Sequence, residues 1–132
     1  MKEVLVDTDI LSYFFKGEPN VVPRFSQYLQ KYPSVSISII TYYEISSGLQ
    51  FRKAEKQLKS FHMFLKYANV LPVTESSAEI SARLYSQTRK SGNAVDDIDL
   101  LIAGIALENK LAMATNNEKH FGKSSRLKLK TG

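Results

Sequence analysis

Cysteine and tryptophan are absent from these 132 residues, and there are only two histidines, four prolines and six glycines. Without cysteine neither a disulfide framework nor a thiolate zinc site can form, a composition suited to a reducing compartment. With His62 and His120 as the only histidines, a His-rich metal site is excluded as well. His62 falls in an amphipathic stretch and reads as a surface or boundary residue. No run approaches the roughly 18 uninterrupted apolar residues of a membrane span. Met1-Lys2-Glu3 leads into a short strand-like run rather than the core of a signal peptide. The chain is therefore expected to be cytoplasmic, with no membrane partner. A cysteine nucleophile, a Gly-x-Ser-x-Gly elbow, a Walker loop and a Gly-x-Gly-x-x-Gly turn are all missing, which removes four common catalytic and cofactor templates.

What remains is an ordinary globular composition, 43% hydrophobic and 23% charged, at the length of one domain spanning residues 1–132. The net charge is +5, and the basic residues are clustered. Arg52, Lys53, Lys56 and Lys59 form one group; Lys119, Lys123, Arg126, Lys128 and Lys130 form another. Such groups neutralise phosphates or simply solvate a helix face and a tail.

The hydrophobic pattern alternates between strand and helix. Val4-Leu5-Val6 is a buried-strand run ending at Asp7, and Ile10, Leu11, Phe14 and Phe15 carry a helix closed by Gly17 and Pro19. Residues 21–32 form a second helix with Val21, Phe25, Tyr28 and Leu29 on one side. Val35 to Ile39 alternates with a period of two, a second strand, and a helix from about Tyr42 to Phe51 follows. Ala54, Leu58, Phe61 and Leu65 mark an amphipathic helix, and Asn69-Val70-Leu71 a short strand. Residues 75–90 form another helix, with Ile80, Leu84 and Thr88 in line. From Ile98 to Leu107 apolar residues point all round, the sign of a buried helix. Leu111 to Ala114 is a fourth strand, and Arg126 to Lys130 a fifth on an edge. Alternating strands and helices predict an α/β fold, a three-layer α/β/α sandwich with a central, mainly parallel sheet of four to five strands.

In such sheets the functional crevice lies beyond the carboxyl ends of the strands. Asp7 follows the first strand, and Glu44 is expected in the first turn of the helix after the second. Asp96, Asp97 and Asp99 open the buried helix, and Asn116 and Asn117 follow the fourth strand. Singly, each acid has a local alternative. Thr41 to Glu44 matches a capping box, Asp96 to Asp99 matches one loosely, and Asp7 or Asp9 can cap the first helix. Together, three or four carboxylates near one point repel one another unless a cation neutralises them. All-oxygen donors of this kind select Mg²⁺, with Mn²⁺ as a substitute, rather than zinc. An acidic, cation-binding crevice in a basic protein points to a polyanionic substrate and phosphodiester hydrolysis.

The same residues resemble a known family. Val4-Leu5-Val6-Asp7-Thr8-Asp9-Ile10-Leu11, Thr41-Tyr42-Tyr43-Glu44-Ile45 and Asp99-Leu100-Leu101-Ile102-Ala103-Gly104-Ile105-Ala106 are similar to the three acidic motifs of PIN-domain ribonucleases. Thr115-Asn116-Asn117 followed by Phe121 is similar to the fourth, and the size and order resemble VapC toxins of bacterial toxin–antitoxin systems. The resemblance implies metal-binding Asp7, Glu44 and Asp99, an RNA substrate, a homodimer and a VapB-like antitoxin that blocks the site. It adds Asn117 to the catalytic set. Where family members often carry an acid in the fourth motif, Asn117 brings a carbonyl but no charge, and Asp96 or Asp97 is a candidate to supply the deficit.

The expected reaction is attack of water on phosphorus, its pKa lowered by one or two divalent ions, leaving 5′-phosphate and 3′-hydroxyl ends. Glu44 is the expected general base or water-positioning group. Thr8, Ser38 and Thr115 are candidates to orient the carboxylates. Two rivals stand. One is a catalytically weakened PIN-like module that binds RNA or protein. The other is a haloacid-dehalogenase-like phosphatase built on Asp7-Thr8-Asp9, which lacks a lysine soon after Asp99. Tyr42, Tyr43, Phe51, Phe61 and Phe64 offer either a partner surface or core packing.

Overall fold

The computed structural model describes residues 3–115 and 129–130. Val4–Val6 (β1), Val35–Ser38 (β2), Ala68–Leu71 (β3), Ala112–Ala114 (β4) and Leu129–Lys130 (β5) form one sheet. Its order is β3-β2-β1-β4-β5, and every neighbouring pair is parallel. Parallel neighbours need crossover connections, and here the crossovers supply helices to both faces.

One face carries Thr8–Phe15 (α1), Val22–Lys31 (α2), Ile39–Phe51 (α3) and Glu55–Leu65 (α4). The other carries Glu75–Lys90 (α5) and Asp97–Glu108 (α6). Successive strand residues point to opposite faces. Val4, Val6, Val35 and Ile37 therefore pack under the first layer, while Leu5 and Met113 pack under the second. This is the expected three-layer sandwich. Among the described residues no helix is long and apolar enough to cross a membrane.

Three local expectations need correction. The second strand stops at Ser38, not Ile39, and α3 begins at once, three residues before the expected Tyr42. The cause is Ser38 itself, whose side chain accepts the Thr41 backbone N–H at 2.9 Å and caps the helix. Thr41 is thus inside the helix rather than its cap, and Glu44 lies in the second turn, not the first. All four residues of Val35–Ser38 are buried. In a sheet covered on both faces the alternation divides residues between two cores. Leu29 leaves the expected seam of α2 and is 46% exposed, because the buried positions run through Val21, Phe25 and Tyr28.

The helix α6 is buried along most of the expected run, with Leu100 and Ile102 to Ala106 all enclosed. Ile98 in its first turn is 39% exposed, because it faces away from the sheet and α5. The helix lies close against α5 at Gly104. A Cβ there would meet the Ser81 hydroxyl at 2.0 Å and the Ser77 carbonyl at 2.5 Å. Ser81 in turn donates to the Leu100 carbonyl at 2.8 Å, joining the two helices at their closest approach.

Candidate active site

The strand order places the site. From β1 the chain moves outward through β2 and β3, then returns to the other side of β1 to form β4. The reversal opens a crevice between the carboxyl ends of β1 and β4, where open α/β sheets bind ligands. Asp7 stands there directly: its backbone N–H extends the ladder to the Ala114 carbonyl at 2.9 Å. Thr115 follows β4 on the same edge.

Asp7 is almost fully buried, at 3% exposure. Its Oδ1 accepts the Thr8 backbone N–H at 2.8 Å, and its Oδ2 accepts the Thr115 hydroxyl at 2.8 Å. The capping role expected for Asp7 is therefore real, and it occupies only one of the two oxygens. Burial pushes the Asp7 carboxyl above the ordinary range; the two hydrogen bonds oppose this, and the charges of Asp9 and Glu44 reinforce it.

Glu44 reaches the same edge from α3, half-buried, and Thr8 fixes it. The Thr8 hydroxyl donates to Glu44 Oε1 at 2.6 Å and lies 3.0 Å from the Thr41 hydroxyl. The Ser38 hydroxyl donates to Thr41 Oγ1 at 3.2 Å. A hydroxyl has one proton to give. Thr8 spends its own on Glu44, so Thr41 must donate to Thr8, and the chain of donors runs Ser38, Thr41, Thr8, Glu44. Ser38 and Thr41 are fully buried, and such chains polarise one another in the interior. Thr8, Ser38 and Thr115 thus take the orienting roles expected of them. Thr41 was read only as a cap. Its signal was the spacing Ser38, Thr41, Glu44, which puts three oxygens on one helix face.

Asp99 enters from α6, on the opposite face of the sheet. It is half-buried, and among the described residues its carboxylate has no hydrogen bond or ion pair. Burial first, then the charges of Asp7, Asp96, Glu44 and Asp9, push its pKa up to about 6. Asp7, Glu44 and Asp99 therefore meet in one electrostatic field although they come from three different helices and their caps. Asp9 does not cap α1, since Asp7 does, and adds its charge from the exposed side. Asp96 caps α6, accepting the Ile98 N–H at 3.0 Å, and its charge also reaches Asp99. Asp97 turns elsewhere, 4.0 Å from Arg89. Asn116, Asn117 and His120 lie outside the described residues.

The donors are carboxylate oxygens, the chemistry of Mg²⁺ and Mn²⁺. An electronegative pocket with one unbonded, half-buried carboxylate fits such an ion in charge and hardness. Among the described residues, no three acidic or histidine side chains already form a closed coordination cluster.

The aromatic residues divide. Phe61 is wholly buried, and Tyr42 and Phe64 pack against it, whereas Tyr43 and Phe51 are 69% and 89% exposed.

Comparison with known proteins agrees with this fold. Residues 4–125 match the PIN domain family. Ribonuclease VapC1 of Methanocaldococcus jannaschii is 30% identical over 97% of this chain and 85% of its own length. A solved toxin–antitoxin complex from Klebsiella pneumoniae contains a chain 26% identical, covering 96% of each, with a TM-score of 0.75. The Rickettsia felis VapBC2 structure, at 23% identity and 97% coverage of each chain, shares the fold with a TM-score of 0.86. With its acids at the β1/β4 crevice and a family match across nearly its whole length, the chain belongs to the PIN-domain family, as a VapC-type member.

Proposed function

We propose that the chain is a divalent-cation-dependent endoribonuclease that acts as the toxin of a VapBC-type pair. The observation that carries this reading is the state of Asp99: half-buried, without a hydrogen-bond partner, and raised to about 6 with neighbouring acids adding to burial. A fold does not gather such charges for its own stability. Asp7, Glu44 and Asp99 would hold Mg²⁺ or Mn²⁺, which supplies neutralisation of the phosphate and a lowered pKa for water. The protein's part is positioning. Thr8 and Thr115 hold the two oxygens of Asp7, and the hydroxyl chain from Ser38 holds Glu44 by Oε1. Oε2 of Glu44 is then the oxygen that takes a proton from the attacking water, with Asn117 proposed to orient that water.

Water as nucleophile makes the RNA 2′-hydroxyl unnecessary, so products carry 5′-phosphate and 3′-hydroxyl ends. A VapB-like antitoxin, a homodimer and a cytoplasmic setting complete the proposal; the Klebsiella relative is solved as a toxin–antitoxin complex.

The test is cleavage of cellular RNA by purified protein with Mg²⁺ or Mn²⁺, with mapping of both new ends. Asp99→Asn is the informative variant, because it disturbs no hydrogen bond among the described residues. Its cleavage is expected to fall roughly a hundredfold or more, the scale of losing one charge-stabilising group. Cyclic 2′,3′-phosphate ends, or undiminished cleavage by Asp99→Asn, would overturn the reading.

A second reading is favoured by the lack of a closed three-ligand cluster among the described residues. A non-cleaving RNA-binding module would hold RNA intact with either ion, and binding would persist in Asp7→Asn.

A further inference from the structure

A trench runs from Glu44 between α1 and α3. One wall presents Thr8, Ser12 and Lys16; the other presents Glu44, Gly48 and Arg52. Each set is spaced i, i+4, i+8, so each keeps one helix face over about 12 Å of axis. Both helices start at the carboxyl edge of parallel neighbouring strands, so their beginnings lie side by side, and so do their ends. The trench is therefore polar and acidic where it meets the candidate site and doubly cationic two turns away. Phe15 and Leu49 line it between.

Two details show that the cationic end is free to bind. Neither Lys16 nor Arg52 has an ion-pair partner among the described residues. Position 48, inside a helix, is glycine, which costs helix stability relative to alanine. A Cβ at Gly48 would sit 3.4 Å from Nη1 of Arg52, an ordinary contact, so the guanidinium lies back along the trench beside position 48. At about 120 Å³ the trench is well below the roughly 300 Å³ that envelops a small molecule. An open, narrow strip suits a passing polymer.

We propose that this trench is the subsite for the single-stranded RNA that flanks the scissile phosphodiester. Lys16 and Arg52, both exposed, hold a neighbouring phosphate, and the partly exposed Phe15 lines the trench where the intervening sugar passes. A single strand is favoured over a duplex because the strip is narrow, whereas a duplex is read by shape over a wider surface. The proposal rests on the ribonuclease reading and refines it.

The test measures binding of a short labelled single-stranded RNA in an Asp99→Asn background with Mg²⁺, across a salt series. Lys16→Ala with Arg52→Ala is expected to weaken binding about tenfold and reduce the salt slope by about 0.7, the value for one phosphate contact on a single strand. Gly48→Leu, which fills the trench, is expected to weaken binding with both cations retained. Melting temperatures of all variants check that the fold stands. Unchanged affinity and slope in the double variant would overturn the trench as an RNA subsite and leave it to a protein partner. If cleavage by the otherwise native chain still depends on Asp99, that result sinks only the trench. If the native chain neither binds nor cuts RNA, both readings fall together.

Discussion

The two faces of the sheet are packed by different means. Under α1 to α4 the core is aromatic: Phe15 meets Phe61 and Phe64 edge-on at 5.9 and 5.5 Å, and Tyr42 meets Phe61 at 5.7 Å. Under α5 and α6 it is aliphatic and small, with Ala103, Gly104 and Ala106 bringing backbones close. Large rings fill space between helices that stand apart; small residues let helices approach until hydroxyls and carbonyls touch. The first face has room for a trench and a chain of hydroxyls, and it carries Asp7 and Glu44. The second contributes Asp99, with the charge of Asp96 beside it, from a helix that packs closely against its neighbour. The site is thus set between an adaptable wall and a rigid one.

If that contrast is right, the two faces should fail in opposite ways. Removing volume should hurt the aromatic face most. Phe61→Ala is expected to cost about 3–5 kcal/mol by urea denaturation, the range for deleting a buried ring. Adding volume should hurt the aliphatic face. Gly104→Ala places a methyl carbon against the Ser77 backbone, at a cost of about 3 kcal/mol, the upper part of the overpacking range. Gly48→Ala, in a helix of the other face, meets only ordinary contact and is expected to gain about 0.5–1 kcal/mol. Equal responses from the two glycines would break the comparison.

Much of the architecture was legible because its signals are periodic. The apolar run from Ile98 to Leu107 is too long for an ordinary strand and reads as a buried helix, though Ile98 itself stays exposed, and the short run Val4 to Val6 reads as a buried strand. The acids were legible because strand ends deliver them to one edge. What the pattern did not show were choices between two competing local hydrogen bonds. Ser38 and Thr41 are both able to cap a helix, and the sequence favours neither; the tertiary fold decides by burying both. Leu29 has the right spacing for the seam, and only the position of the sheet shows that the seam passes beside it. The same ambiguity hid Thr41 from the list of orienting residues, since a hydroxyl that caps and one that relays look alike in one dimension.

The hydroxyl chain sharpens the comparison on a smaller scale. Thr41→Val keeps the shape but leaves the buried Ser38 hydroxyl without its acceptor and Thr8 without its donor. A buried group so stranded costs about 1–3 kcal/mol. Because Glu44 is held through Thr8, divalent-ion affinity measured by calorimetry should weaken as well, while Thr41→Ser should restore both. A stability loss with unchanged ion affinity would mean that the chain serves packing alone.

A further small effect tests the rigid wall itself. Asp99 has an ordinary pKa of 3.8 and stands at about 6 in the fold. Folding therefore favours its protonated form. The contribution to stability is fully present below about 3.8 and is lost as pH rises through about 6. Two units would correspond to nearly 3 kcal/mol, but Asp99 is only half-buried, and solvent screening brings the expected figure to about 1 kcal/mol. Asn cannot ionise. In EDTA at pH 7, Asp99→Asn should therefore be the more stable protein by about that amount. The gap should close as pH falls below about 4. Added Mn²⁺ should reverse the order, because the ion gains from the charge that the bare fold resists. A wild-type chain as stable as Asp99→Asn at pH 7 without metal would show that α6 shifts to relieve the repulsion, and that the second face is not rigid after all.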